Sequence, residues 1–178
     1  MVILRDLIEA DIEDYVHWFT EPSEENDWDR WDAPWESEET TPEAERKAWT
    51  RHYLAVQRQA PDTLRWRFEI EADGAHIGWV SAYTDLGWMD NPEEIPAIGI
   101  DIPLRAHRGH GHGKAALELF IAYWRKQGYR QLYTQTWSGN LPMLKLAEKL
   151  GFREHTRMKA FREVDGKRYD ALTLIIDL

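Results

Sequence analysis

Residues 107–114 read HRGHGHGK, so that Gly109, Gly111 and Gly113 alternate between Arg108 and Lys114. The run AIGIDIP precedes them and the apolar run AALELFIAYW follows. Glycine inside a helix or strand costs about 0.5–1 kcal/mol relative to alanine, so a cluster of three marks main chain that something must approach closely. The alternation of Ile98, Ile100 and Ile102 predicts a strand ended by Pro103, and Ala116, Leu117, Phe120, Ile121 and Trp124 form a helical stripe. A strand, a glycine turn and a helix in that order make an anion site: backbone N–H groups converge at the turn and the helix dipole adds positive charge. The alternative is a tight turn with no ligand.

Spacing narrows the anion. A nucleotide P-loop needs G-x-x-x-x-G-K followed by Ser or Thr, but Gly109 and Gly113 are one residue too close and Ala115 follows the lysine. A dinucleotide fingerprint needs G-x-G-x-x-G after a parallel strand, which the strict alternation here does not meet. His107, His110 and His112 raise the question of a metal, yet no cysteine or suitably spaced carboxylate completes a coordination set, and no metal is expected.

The chain of 178 residues, 43% hydrophobic and 30% charged, is expected to form a single domain over 1–178. The absence of cysteine excludes disulfides, zinc–thiolate sites and thiol catalysis. The start, MVILRDLIEADIEDY, turns charged too early for a signal or membrane segment, so a cytoplasmic location and no membrane partner are expected. The net charge of −10 divides unevenly: residues 1–100 hold 8 Lys/Arg against 24 Asp/Glu, and residues 101–178 hold 14 against 8. An acidic half is a poor nucleic-acid surface and attracts cations, and a basic half suits an anion; ordinary solubilising charge is the bland alternative.

Along the chain, VILRDL reads as a strand and EADIEDYVHWF as a helix with Ile12, Tyr15, Val16 and Phe19 on one side. Residues 20–40 show no period, with nine acidic residues, one Arg, and Trp28, Trp31 and Trp35 among them, so they form a loop. Thr41-Pro42-Glu43 starts a second helix. Asp73-Gly74 and Asp165-Gly166 predict hairpins, and Asn140 caps a helix carrying Met143, Leu144, Ala147 and Leu150. Trp49, Trp66, Trp79 and Trp124 are expected in the core. The predicted order is β-α-α-β-β-β-α-β-α-β-β, an α+β (α/β) fold with a mixed central sheet of about six to seven strands flanked by helices.

Arg108, Gly111 and Gly113 match R-x-x-G-x-G directly after a strand, and this resembles the acetyl-CoA diphosphate loop of the GNAT (Gcn5-related) N-acetyltransferases. SGNLPMLKLAEKLGF resembles the family's N-x-x-(A/M)-x-x-L-x-E-K-x-GF helix, with Asn140, Glu148, Lys149, Gly151 and Phe152 in register. The opening LRDLIEADIEDYVHWF resembles the RimJ/RimL-like branch, so the likeness runs over nearly the whole chain.

The resemblance implies a GNAT fold whose strands AIGIDI and QLYTQTW, the fourth and fifth, splay to admit the pantetheine arm. It implies acetyl-CoA as cosubstrate, held by Ile100, Asp101, Ile102, Arg108, Gly109, His110, Gly111, His112, Gly113, Lys114 and Asn140. A backbone amide between Ile100 and Ile102 would polarise the thioester carbonyl, a contribution of about 3–4 kcal/mol where such donors have been removed. The attacking amine must be neutral, although its ordinary pKa is about 10, so a base or water has to take its proton. Glu93, Glu94 and Asp101 lie at or before the strand ahead of the glycines; Glu94 is the first choice by position and Asp101 the second. The family's leaving-group Tyr falls on Ala147, leaving Ser138, Tyr133 or water for that role. The acidic loop 21–40 stands where the family builds its acceptor site. Trp28, Trp31 and Trp35, with Asp27, Asp29 and Asp32, are candidate contacts to a cationic amine, since an indole face binds a cation by about 0.5–2 kcal/mol. The same tryptophans would equally plug the core beneath the loop.

The expected activity is acetyl-CoA-dependent transfer to a primary amine of a protein N-terminus or a small molecule, by direct attack. A non-catalytic CoA-binding regulator on the same fold is the alternative, kept open by Ala147, and a protein-interaction module using the acidic loop is a third. The sequence leaves the acceptor and the oligomeric state open, a homodimer included.

Overall fold

The computed structural model describes residues 1–35 and 39–178. Its elements follow as β1 (Val2–Arg5), α1 (Ile12–Thr20), α2 (Pro42–Gln57), β2 (Arg67–Ala72), β3 (Ala75–Tyr83), β4 (Ala97–Asp101), α3 (His112–Lys126), β5 (Gln131–Trp137), α4 (Leu141–Lys149), β6 (Arg153–Val164) and β7 (Lys167–Asp177). This is the expected order. The strands form one seven-stranded sheet in the order β1-β2-β3-β4-β5-β7-β6, with β4 parallel to β5 and the other pairs antiparallel. Of the acidic loop expected over 21–40, Glu36, Ser37 and Glu38 lie outside the described residues.

Local chemistry sets the element ends. The Thr41 hydroxyl accepts from the Ala44 amide at 3.2 Å ahead of Pro42, and Asn140 Oδ1 accepts from the Met143 amide at 3.1 Å. Asp73-Gly74 and Asp165-Gly166 close the β2–β3 and β6–β7 hairpins, both residues of each pair lying in the left-handed region as a primed turn requires.

Sheet pleating divides the core between two faces. Ile98 of β4 and Leu132 of β5 pack with the α3 residues Ala116, Leu117, Phe120, Ile121 and Trp124, all buried as their spacing predicts. On the other face Trp79 of β3 packs with Leu7, Tyr15 and Trp18. Each large side chain buried this way contributes about 1.5–3 kcal/mol. One core expectation is extended and one needs correction. Trp18 is 2% exposed and joins Tyr15 on the buried side of α1, while Phe19 packs against the same cluster as its period predicts. Trp66 is 39% exposed: it precedes β2 and lies edge-on to Trp124 at 5.1 Å, covering the core rather than filling it. Trp49 is half-buried, stacked on Tyr15 with ring centroids 3.5 Å apart.

Candidate active site

The glycine turn leads from β4 into α3. Gly109 and Gly111 have φ of 79° and 85°, a conformation that costs other residues about 1–2 kcal/mol, and a Cβ at either would meet nothing within 4 Å. Both therefore lie on an open surface. α3 starts without a side-chain cap, and its first internal bond runs from the Ala115 amide to the Gly111 carbonyl at 3.1 Å. The N–H groups of His112, Gly113 and Lys114 have no intrahelical acceptor and point out of the helix start, where the dipole favours an anion. Gly113 keeps the floor low, since its Cβ would lie 3.6 Å from both Ile102 Cδ1 and Leu146 Cδ2. His110 and His112 flank the turn with ring centroids 5.8 Å apart, His112 Nδ1 is 3.2 Å from the His107 carbonyl, and Lys114 pairs with Glu118 along the helix.

Two expected cofactor side chains are engaged elsewhere. Arg108 donates from Nε to the Ile102 carbonyl at 2.7 Å, from Nη1 to Asp27 Oδ1 at 2.6 Å, and from Nη2 to the Pro103 carbonyl. It shapes the turn from within, so the cradle is made of main chain. Asn140 caps α4 with its oxygen and donates from Nδ2 to the Trp31 carbonyl at 2.8 Å.

Beside the cradle the sheet opens. β4 and β5 register at Ala97 opposite Tyr133, next to a bond from the Tyr133 amide to the Pro96 carbonyl at 2.9 Å, and the pairing does not continue toward Asp101 and Trp137. The Ile100 and Ile102 side chains turn toward α3 and α4, leaving their main chain along the gap.

Asp101 ends β4 opposite Trp79, on the face away from α3. Burial pushes its carboxyl up to about 7, and the Asp32 charge acts in the same direction against the opposing pull of Arg67 and Arg108. Burial also raises Tyr83, with Asp32 and Asp101 adding to the shift, so its phenol stays protonated. Gly78 fixes this end of β4: a Cβ there would lie 2.0 Å from the Asp101 carbonyl oxygen. The other catalytic candidates sit differently. Glu94 is exposed on the turn before β4, its amide bonded to the Asn91 carbonyl at 3.0 Å, and Ser138 Oγ accepts from the Asp170 amide at 2.9 Å just past β5.

The three loop tryptophans separate. Trp28 plugs the core, with Nε1 on the Trp18 carbonyl at 3.0 Å and its ring against Phe19 and Trp79. Its contacts face the core, the alternative that the sequence left open for these tryptophans. Trp31 and Trp35 gather at the open end of β5 around Trp137, a residue that the sequence reading did not single out. Trp137 Nε1 donates to the Trp31 carbonyl at 2.9 Å, and Trp35 lies edge-on to Trp137 and Phe161 at 6.0 and 6.3 Å. Gly139 seats that indole, since a Cβ there would fall 1.7 Å from the ring. Of the described loop acids, Asp29 accepts from the Arg30 amide at 2.8 Å, Asp27 binds Arg105 and Arg108, and the charge of Asp32 reaches Asp101.

A second polar cluster lies under α1. Asp11, Asp14 and His76 bring ligand-type atoms within 4.8 Å of one another. Arg5 binds both Asp11 oxygens at 2.6 and 2.8 Å, and the two His76 ring nitrogens face Asp14 and Glu69 at 2.9 and 3.1 Å. Burial opposes charge on His76, but these carboxylates prevail and lift it to about 9. With each of these atoms engaged by a counter-charge, the cluster is an ion-paired part of the core.

Residues 1–153 match the family model described as the acetyltransferase (GNAT) domain. The chain belongs to the GNAT acetyltransferase family. It is similar to "Putative phosphinothricin acetyltransferase YwnH" of Bacillus subtilis (strain 168), 40% identical over 101 residues. That match spans 56% of this chain and 60% of the relative, less than two thirds of its length. Among solved structures, a protein described as "a putative phosphinothricin N-acetyltransferase" is 27% identical with a TM-score of 0.70, covering 100% of this chain and 99% of that one. RimL, a ribosomal L7/L12 alpha-N-protein acetyltransferase solved with coenzyme A, shares the fold at a TM-score of 0.72 and 18% identity, covering 99% of this chain and 94% of its own. The Salmonella typhimurium protein yncA, described as "a putative ACETYLTRANSFERASE" and solved with acetyl-CoA, does so at 0.70 and 18%, over 99% and 94%. This GNAT fold includes the parallel β4–β5 pair, as the sequence resemblance implied.

Proposed function

We propose that this protein transfers the acetyl group of acetyl-CoA to a cationic primary amine, with Asp101 as the base. Acetyl-CoA supplies an acetyl group already activated as a thioester. The main-chain N–H groups from Gly109 to Lys114 hold its diphosphate, and the open edge of β4 from Ile100 to Ile102 lies along its pantetheine arm. A β4 amide at that edge donates to the carbonyl oxygen as negative charge develops there.

The observation that carries the reading is the half-buried Asp101 carboxyl at the mouth of the β4–β5 gap, held near neutral pH by burial and by Asp32. An alkylammonium of pKa about 10 gives up its proton to a carboxylate near 7 far more readily than to an ordinary one near about 3.9. Asp101 combines that basicity with a place beside the gap, which favours it over Glu94 on its exposed turn. The Asp32 charge and the indoles of Trp31, Trp35 and Trp137 favour an acceptor that arrives as a cation with an apolar body. Ala147 is fully buried in the core, so the departing thiolate takes its proton from water or a nearby hydroxyl such as that of Ser138. A thiol of pKa about 8.5 leaves without strong assistance.

Free-thiol release from acetyl-CoA across a panel of primary amines tests the proposal. Turnover with cationic amines that rises with pH through about 7 supports it. Coenzyme binding without turnover of any amine returns the protein to a regulatory role.

A further inference from the structure

Asp27 is one of nine acidic residues between Thr20 and Thr40, and it differs from its exposed neighbours in being 9% exposed. Its Oδ2 accepts from Arg105 Nε and Nη2 at 3.0 and 2.6 Å, and its Oδ1 accepts from Arg108 Nη1 at 2.6 Å. Burial works against its ionisation, but these two guanidinium partners hold the carboxyl below the usual range. The main chain repeats the connection: the Arg105 amide donates to the Glu25 carbonyl at 2.8 Å, and Asn26 bridges Leu104. A few residues on, the Trp31 carbonyl is held by Trp137 and Asn140. The segment bearing Trp31 and Asp32 is therefore anchored to the turn before the cradle and to the cap of the helix beside it.

We infer that Asp27 is a positioning residue that locks the acceptor loop onto the diphosphate loop, so that filling the cradle also orders residues 23–35. The inference rests on the acetyl-CoA reading of residues 108–114. Arg108 is the shared part, because one guanidinium holds the Ile102 and Pro103 carbonyls under the cradle and the Asp27 carboxylate under the acceptor loop. An anion that orders the turn around Arg108 restrains Asp27 through a hydrogen-bonded charge pair, a contact about twice as strong as a neutral one. Replacing Asp27 leaves Arg108 its two carbonyls and leaves the main-chain contacts of Glu25 and Asn26, so the cradle keeps its internal support while losing the charged link to the loop.

Hydrogen exchange measured by mass spectrometry, with and without coenzyme A, tests this on the full chain. In the wild type, coenzyme A is expected to slow exchange both at 108–114 and at 23–35. In Asp27→Asn the slowing at 108–114 persists and the coenzyme-dependent slowing at 23–35 is largely lost; Asp27→Glu, which keeps the charge, restores part of it. Arg105→Gln removes two of the three Asp27 contacts from outside the cradle and is the second variant should Asp27→Asn fold poorly. A purely structural Asp27 would raise exchange with and without coenzyme alike and leave their difference intact, which overturns the inference. Wild-type slowing at 108–114 with none at 23–35 overturns it as well. No slowing at either segment removes the acetyl-CoA reading itself, and the coupling with it.

Discussion

Replacing Asp101 by Asn separates the stability of this fold from its proposed chemistry. A carboxyl whose pKa is about 7 in the fold and about 3.9 in the unfolded chain binds its proton more tightly when folded. Below about pH 4 both states are protonated and Asp101 costs nothing; as pH rises to about 7 the unfolded chain ionises first, so the fold loses stability. At 1.36 kcal/mol per unit over about three units, the loss approaches about 4 kcal/mol above pH 7, with water at the mouth of the gap reducing it. Asn has nearly the same shape and no charge, so the variant escapes the loss. Urea unfolding followed by tryptophan fluorescence from pH 4.5 to 8.5 measures the difference as a shift in midpoint. Wild type and variant should differ by only about 1 kcal/mol at pH 4.5, and the variant should be more stable by up to about 4 kcal/mol at pH 8. The same substitution should lower acetyl transfer by about 10²–10⁴-fold, the usual contribution of a positioned base. A stability difference that stays flat with pH, or a variant weaker than wild type at pH 8, refutes the assignment of a half-buried, charge-crowded Asp101.

Gly111→Ala should raise the KM for acetyl-CoA several-fold and lower stability by about 1–2 kcal/mol, the cost of forcing an alanine to φ of 85°, with no added clash because the Cβ has open space; initial-rate kinetics and a melting curve check both. Gly78→Ala drives a Cβ into the Asp101 carbonyl and should cost about 3 kcal/mol together with most activity, read by urea midpoint and thiol release. His76, lifted to about 9, contributes stability fully present below about pH 6.5 and lost as pH rises through about 9, up to about 3 kcal/mol. His76→Gln should therefore trail wild type most at pH 6.5 and close the gap by pH 10; a gap constant with pH counts against the charged imidazole.

The parts of the fold written in local chemistry were legible in the sequence. Thr41 and Asn140 cap their helices because a short polar side chain next to an apolar stripe acts within one turn. Asp73-Gly74 and Asp165-Gly166 close hairpins for reasons confined to two residues. The α3 stripe is buried because its period leaves one apolar face to cover. What escaped depends on partners far along the chain. Nothing near Arg108 announces that its guanidinium turns inward to Asp27, 81 positions away, and nothing near Asn140 announces the Trp31 carbonyl. Trp28 and Trp35 look alike in a run of acids, yet one fills the space between α1 and β3 and the other stands against Trp137. Gly78 carried the one overlooked signal, a lone glycine inside a strand pattern, which marks close approach of another backbone.

Main-chain amides at the glycine turn are proposed to grip the coenzyme, and a crystal structure with bound acetyl-CoA tests that most directly. Diphosphate oxygens within hydrogen-bond distance of the Gly111 to Lys114 amides, with the pantetheine arm between β4 and β5, is the result expected. Coenzyme seated elsewhere, with those amides facing only solvent, contradicts it.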